Sequence, residues 1–191
     1  MRLLIYGSRS FASTVAELAR HCDFEVEGFV DDFDRGPNII GTFAEVCVSH
    51  PPGRFAFAIG VGYNDLGLRW DARTRVIMAG YAQPALIHPR AYTADSAEIG
   101  DGSLVMARSV VDVRATIGQL VVLWPNACIN HDAAVGPNTF VSPGAIVCGA
   151  VKLGTHCFVR AGAAVADHCV VPDGTFIKML SRYSADRRLE S

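Results

Sequence analysis

The sequence has no long apolar run. Its opening, MRLLIYGSRS, places four apolar residues, Leu3 to Tyr6, before a Gly-Ser turn, well short of a signal peptide's apolar region or the roughly 20 residues of a membrane span. A cytoplasmic protein with no membrane partner is expected. Charge of one sign is missing as well: 17 Lys and Arg stand against 19 Asp and Glu, the pI is near 6.3, and the charges are scattered. Such a surface gathers neither nucleic acid nor an anionic membrane. The six cysteines (Cys22, Cys47, Cys128, Cys148, Cys157 and Cys169) form no CxxC pair and show no zinc-ligand spacing. This argues against a disulfide frame or a metal finger and for buried free thiols acting as small hydrophobes. The GxGxxG fingerprint is absent too, so nicotinamide dinucleotide binding has no support.

What the sequence does have is a period of six. Ile99, Val105, Val111, Ile117, Leu123, Ile129, Val135, Val141, Val147, Leu153, Val159, Val165, Val171 and Ile177 recur without a miss. Two positions before each lies a second series, small or β-branched, from Ala97 and Ser103 to Cys169 and Thr175. Gly100, Gly118, Gly136 and Gly154 then repeat at eighteen, which is three hexapeptides. A triangular coil with three short faces accounts for all three series, because its narrow interior takes one aliphatic per face and its corners take only small side chains. The expected fold is a left-handed parallel β-helix of a little over four coils. No insertion breaks the register, so any site must use the coil's own outward side chains.

Residues 1 to 85 read differently. Arg2 to Tyr6 is a strand, Gly7 to Ser10 a turn, and Phe11 to Arg20 a helix. Val26 to Val30 and Phe55 to Gly60 give two further strands, and Asp65 to Gly80 a second helix. Alternating strands and helices imply a small Rossmann-like α/β domain with a parallel sheet. Pro84 to Ala91 links the halves. The expected division is therefore 1–85 for the α/β domain, 86–177 for the β-helix, and 178–191 for a short polar tail.

Three places could carry chemistry. The turn after the first strand can receive a phosphate at the following helix N-terminus, and Arg9 there can pair with that phosphate or sit in solvent. Asp31 and Asp32, after the second strand, can bond a ribose or base, or form a solvated turn. His131 follows the core position Ile129 by two residues, projects outward at a corner, and has Asp132 beside it. A histidine next to a carboxylate can be a general base. His156 and His168, at spacings of 25 and 12, fall on different faces and read as surface turns rather than zinc ligands.

The stretches IYGSRSFA, GFVDDFD, AIG, LIHPRA and INHDAAVGPNTFVSPGAIVCGAVKLG together resemble the PglD/NeuD-like nucleotide-sugar acetyltransferases, over nearly the whole chain. The resemblance implies an α/β domain holding a nucleotide-linked sugar and a β-helix that trimerises, with acetyl-coenzyme A in a groove between subunits. It implies His131 as catalytic base, Asp132 as the carboxylate supporting it, and Gly149 as the residue whose backbone N–H faces the thioester carbonyl. Phe140 and Ala161 fall where acetyl-coenzyme A is contacted. Arg9, Ser10, Phe11, Asp31, Asp32 and Gly60 fall where the nucleotide sugar is held. No metal is implied.

The sequence departs from that family in two respects. Arg9, Ser10 and Phe11 put bulk where the family's turn is richer in glycine. The repeat also ends at Ile177, about one coil early, and the tail cations Lys178, Arg182, Arg187 and Arg188 would then contact the coenzyme A phosphates in its stead. The implied activity is acetyl-coenzyme A-dependent N-acetylation of a nucleotide-linked 4-amino sugar for a bacterial surface glycan such as O-antigen. The alternatives are a sialic-acid-type sugar O-acetyltransferase and a non-catalytic trimer that binds sugar nucleotides.

Overall fold

The structure is a computed structural model that describes residues 2–184. The chain divides into two compact units, Met1–Pro89 and Arg90–Ser191. Among the described residues, no helix is long and apolar enough to cross a membrane.

In the first unit, strand β1 (Arg2–Tyr6) leads to helix α1 (Ser10–His21) and strand β2 (Glu25–Val30). Strand β3 (Ile39–Gly41), helix α2 (Phe43–Ser49), strand β4 (Phe55–Ile59) and helix α3 (Leu66–Met78) follow. The sheet order is β3-β2-β1-β4, and all three pairings are parallel. Leu3, Leu4 and Ile5 of β1 and all five residues of β4 are buried, as expected for strands covered on both faces. Chain order reverses direction between β1 and β4, and their carboxyl ends therefore open a crevice.

β3 and α2 are not among the elements expected from the sequence. α2 nonetheless carries a start signal: Thr42 Oγ1 accepts from the Glu45 N–H at 3.3 Å, and Glu45 Oε2 accepts from the Thr42 N–H at 2.7 Å. This reciprocal capping box satisfies two of the donors that open a helix. The helix has only seven residues, too few for an apolar period to stand out.

The second unit is the left-handed parallel β-helix. A two-residue strand recurs every six residues from Tyr92–Thr93 to Arg182–Tyr183, and strands eighteen residues apart pair in parallel, as in Thr116↔Ala134 and Cys128↔Ile146. The aliphatic series forms the core, with Val105, Val111, Leu123, Ile129, Val141, Val147, Val159 and Val165 fully buried. Every such side chain withdrawn from water contributes roughly 1.5–3 kcal/mol. The small series lies inside as well, including the buried Cys157 and Cys169, whereas the other four thiols are only half-buried.

Buried hydroxyls in that series join successive coils. Ser103 Oγ donates to the Gly118 carbonyl at 2.8 Å and accepts from the Val121 N–H at 3.1 Å. Thr139 Oγ1 repeats the arrangement with Gly154 and Cys157. The corners also keep the period: every sixth residue from Gly102 to Leu180 has a left-handed backbone, Asp132, His156 and His168 among them.

The repeat does not end at Ile177 as the aliphatics alone suggested. Tyr183 occupies the next sixth position, Arg182–Tyr183 pairs with Ala164–Val165, and the Tyr183 ring packs against the core. An aromatic residue in the aliphatic series hid this step from a search for Ile, Leu and Val. Arg187 and Arg188 lie outside the described residues.

Candidate active site

His131 stands at the corner after the strand Cys128–Ile129, and hydrogen bonds to neighbouring coils hold the turn on both sides. The Asp132 N–H donates to the Val113 carbonyl, and the Ala150 N–H donates to the His131 carbonyl, each at 3.0 Å. With its backbone fixed, the imidazole projects outward and is 60% exposed.

Each ring nitrogen has a distinct neighbour. Nδ1 lies 2.8 Å from Asp132 Oδ2. Arg114 grips the same carboxylate, donating from Nε to Oδ1 at 2.7 Å and from Nη2 to Oδ2 at 2.9 Å. The Arg114 guanidinium, followed by His131, holds the Asp132 carboxyl well below the usual carboxylate range. Asp132 is thus an ionised group that can only accept, so the proton between it and a neutral His131 belongs on Nδ1. Nε2 is left with its lone pair.

That nitrogen faces Gly149, one coil further on. A Cβ built on Gly149 would lie 2.7 Å from His131 Nε2 and Cε1, so glycine is needed for the ring to occupy its place. The Gly149 N–H meets no acceptor among the described residues. A bare imidazole nitrogen beside an unengaged backbone donor can take a proton and stabilise an oxyanion in one step. The sequence pointed to His131, Asp132 and Gly149. It missed Arg114, whose only signal is that 114 precedes 132 by one eighteen-residue coil.

A second site lies in the first unit, a cavity of about 630 Å³ at the carboxyl ends of β1, β2 and β4. All six residues expected to hold a nucleotide sugar line it: Arg9, Ser10, Phe11, Asp31, Asp32 and Gly60. Ser10 opens α1, whose first turn has no acidic residue and whose N-cap Arg9 makes no side-chain cap. The first N–H groups and the positive end of the helix dipole thus remain available to an anion.

The two aspartates are partly committed to building this cavity. Asp31 Oδ1 accepts from the Phe33 and Asp34 N–H groups, both at 3.0 Å, and Oδ2 accepts from Ser8 at 2.7 Å. Asp32 Oδ2 accepts from the Tyr6 hydroxyl at 2.6 Å and from Arg75 at 2.7 Å, while Oδ1 accepts from the Phe43 N–H at 2.9 Å. Arg75 also donates to the Tyr6 hydroxyl. Burial raises both carboxyls, but these bonds outweigh it and leave each below its ordinary value. Asp32 therefore ties β1, α2 and α3 together at the cavity wall. Phe33, Tyr63, Asn64 and Arg75 line the cavity too, none of them singled out by the sequence.

No protein-family model matches the chain, and no curated protein matches it. Solved structures do. The acetyltransferase domain of PglB from Neisseria gonorrhoeae is 27% identical, with 92% of this chain and 95% of that chain covered and a TM-score of 0.75. Its complex with acetyl coenzyme A aligns at 27% identity, 92% and 94% coverage and a TM-score of 0.71. A variant of GDP-perosamine N-acetyl transferase from Caulobacter crescentus, in complex with CoA and GDP-perosamine, is 25% identical over 92% of each chain with a TM-score of 0.75. In fold, the chain is similar to these left-handed β-helix sugar acetyltransferases.

Of the two residues expected near acetyl-coenzyme A, Ala161 is half-buried and Phe140 is fully buried. Phe140 begins an edge-to-face stack that continues at eighteen-residue steps through Phe158 and Phe176, with centroids 6.0 and 5.6 Å apart. The Arg160 guanidinium lies 5.7 Å over the Phe176 ring. The accessible end of this stack is Phe176, at 56% exposure. No group of three or more His, Cys, Asp or Glu among the described residues could hold a metal ion.

Proposed function

We propose that the chain transfers an acetyl group from acetyl-coenzyme A to the amine of a nucleotide-linked amino sugar. The observation that carries this reading is the likeness, over 92% of the chain, to acetyltransferases whose structures hold acetyl-coenzyme A or CoA with GDP-perosamine. The His131 geometry gives that likeness a mechanism.

In this reading the cavity of the first unit holds the nucleotide, with the diphosphate at the α1 N-terminus and Arg9 beside it. The sugar amine attacks the thioester carbonyl carbon while His131 Nε2 accepts a proton from the nitrogen. Asp132 supports the imidazolium that forms. The Gly149 N–H donates to the oxyanion, worth roughly 3–4 kcal/mol of barrier in comparable holes. Collapse of the intermediate keeps the new C–N bond and breaks the C–S bond, and the proton on Nε2 leaves with the coenzyme A thiolate. Ala161 marks the coenzyme A side of the β-helix in this reading, whereas the fully buried Phe140 offers no surface for contact. The same reading expects a homotrimer and a role in surface polysaccharide synthesis.

The test is release of free thiol when the purified protein meets acetyl-coenzyme A and a panel of nucleotide-linked 4-amino sugars. Turnover with at least one sugar, giving an alkali-stable amide product, supports the reading. Loss of about 10²–10⁴-fold in kcat for His131→Ala is expected if the imidazole is the base. No thiol release across the panel, or full activity in His131→Ala, rules it out.

A further inference from the structure

The Arg114 guanidinium forms the lower half of the His131 site, one coil before it, and no role is yet attached to it. Its two bonds to Asp132, at 2.7 and 2.9 Å, engage both carboxylate oxygens. One of those oxygens, Oδ2, is also the partner of His131 Nδ1. From this three-member chain we infer that Arg114 is a positioning residue: its fork fixes the Asp132 carboxylate, and the carboxylate fixes the orientation and Nδ1–H tautomer of His131. The inference rests on His131 acting as the base.

A carboxylate bonded to the imidazole alone could rotate about its own side chain and present either oxygen. Two parallel guanidinium bonds remove that freedom, because a planar fork matches a planar carboxylate in one orientation. The anchoring is rigid at each level. The Arg114 N–H donates to Ser96 Oγ at 3.1 Å, and the Asp132 N–H donates to Val113 in the Arg114 turn at 3.0 Å. Fork and acceptor thus sit on stacked corners of one ladder rather than on loops. On the opposite side the ring abuts Gly149, where even a Cβ would lie 2.7 Å from Nε2. Held below by Asp132 and bounded above by Gly149, the imidazole has little angular freedom left.

Side-chain exposure is 63% for Arg114 and 38% for Asp132, and ion pairs this open to water add little to folding stability. Removing the guanidinium should therefore leave the β-helix folded and expose the effect on the ring. Displacing a base by about 1 Å can cost about a hundredfold in rate, so a loss in kcat is the expected consequence.

The test uses full-length Arg114→Gln and Arg114→Lys. Protein labelled with 15N-histidine, at about pH 8 where a free imidazole is neutral, gives ring nitrogen signals assigned to His131 by their disappearance in His131→Gln. The parent should show a protonated Nδ1 and a bare Nε2, and Arg114→Gln should show a mixture of tautomers. In steady state, Arg114→Gln should lower kcat about ten- to hundredfold with both KM values changed less than about twofold. Arg114→Lys, which keeps the charge but not the fork, should fall between. Ring signals in Arg114→Gln identical to the parent's, or a loss confined to KM, would overturn the inference. The ring spectrum needs no turnover, so an inactive parent would sink the proposed function while the role of Arg114 was still decided.

Discussion

Asp132 cannot donate, and Arg114 keeps it ionised, so its service to His131 is to hold the Nδ1 proton and leave Nε2 bare. Replacing it with an amide removes that constraint. Asp132→Asn should lower kcat by about a hundredfold or more, as happens when a comparable histidine loses its tautomer, and steady-state kinetics will show it. Gly149→Ala acts from the other side. The new methyl would meet Nε2 at 2.7 Å and push the ring out of place, lowering kcat by about a hundredfold with the β-helix still folded by circular dichroism. The 2.8 Å contact between His131 and Asp132 is read from the structure, but their adjacency is legible in the sequence, because the two are consecutive at a corner that the period locates. The Tyr6, Arg75 and Phe43 contacts to Asp32 are not, since they join positions that only the sheet and its helices bring together.

Among the elements, the β-helix ladder is where a single atom matters most. A Cβ at Gly136 would lie 2.5 Å from the Gly154 carbonyl carbon, so Gly136→Ala must spread two coils and should destabilise by about 1–3 kcal/mol. Thr139→Val keeps the shape but removes the hydroxyl that accepts from the buried Cys157 N–H at 3.1 Å. It should cost about 1–3 kcal/mol for the stranded donor. Denaturant midpoints of the two variants measure both effects. The ladder was almost fully legible, because its period is imposed by close packing and repeats in every coil. Its last step escaped because Tyr183 is aromatic. α2 escaped because seven residues carry too little period, although Thr42 and Glu45 marked its start. The complete burial of Arg69 on α3 also has no signal in a sequence that reads arginine as solvent-facing, and that burial draws its guanidinium down to about 9.

For the whole molecule, acid should weaken the α/β unit. Asp31 and Asp32 both titrate below their ordinary value in the folded protein. A depressed carboxylate stabilises fully above its unfolded value, about 3.9, and that contribution is lost as pH falls through the folded value. Stability of the unit should therefore decline below about pH 4, and Asp32→Asn should show a shallower decline in pH-dependent thermal melts. Light scattering coupled to gel filtration should give the mass of three chains if the β-helix assembles as the proposed function expects, and a monomer mass would oppose that part of the reading.

The central claim is that His131 is the base of an acetyl transfer from coenzyme A to a nucleotide-linked amino sugar. The most direct measurement is thiol release from acetyl-coenzyme A, with and without the sugar, by the parent protein and His131→Ala side by side. Sugar-dependent release by the parent, reduced about 10²–10⁴-fold in His131→Ala, is the predicted result. Equal release by both proteins, or none from the parent with any nucleotide amino sugar, would contradict it.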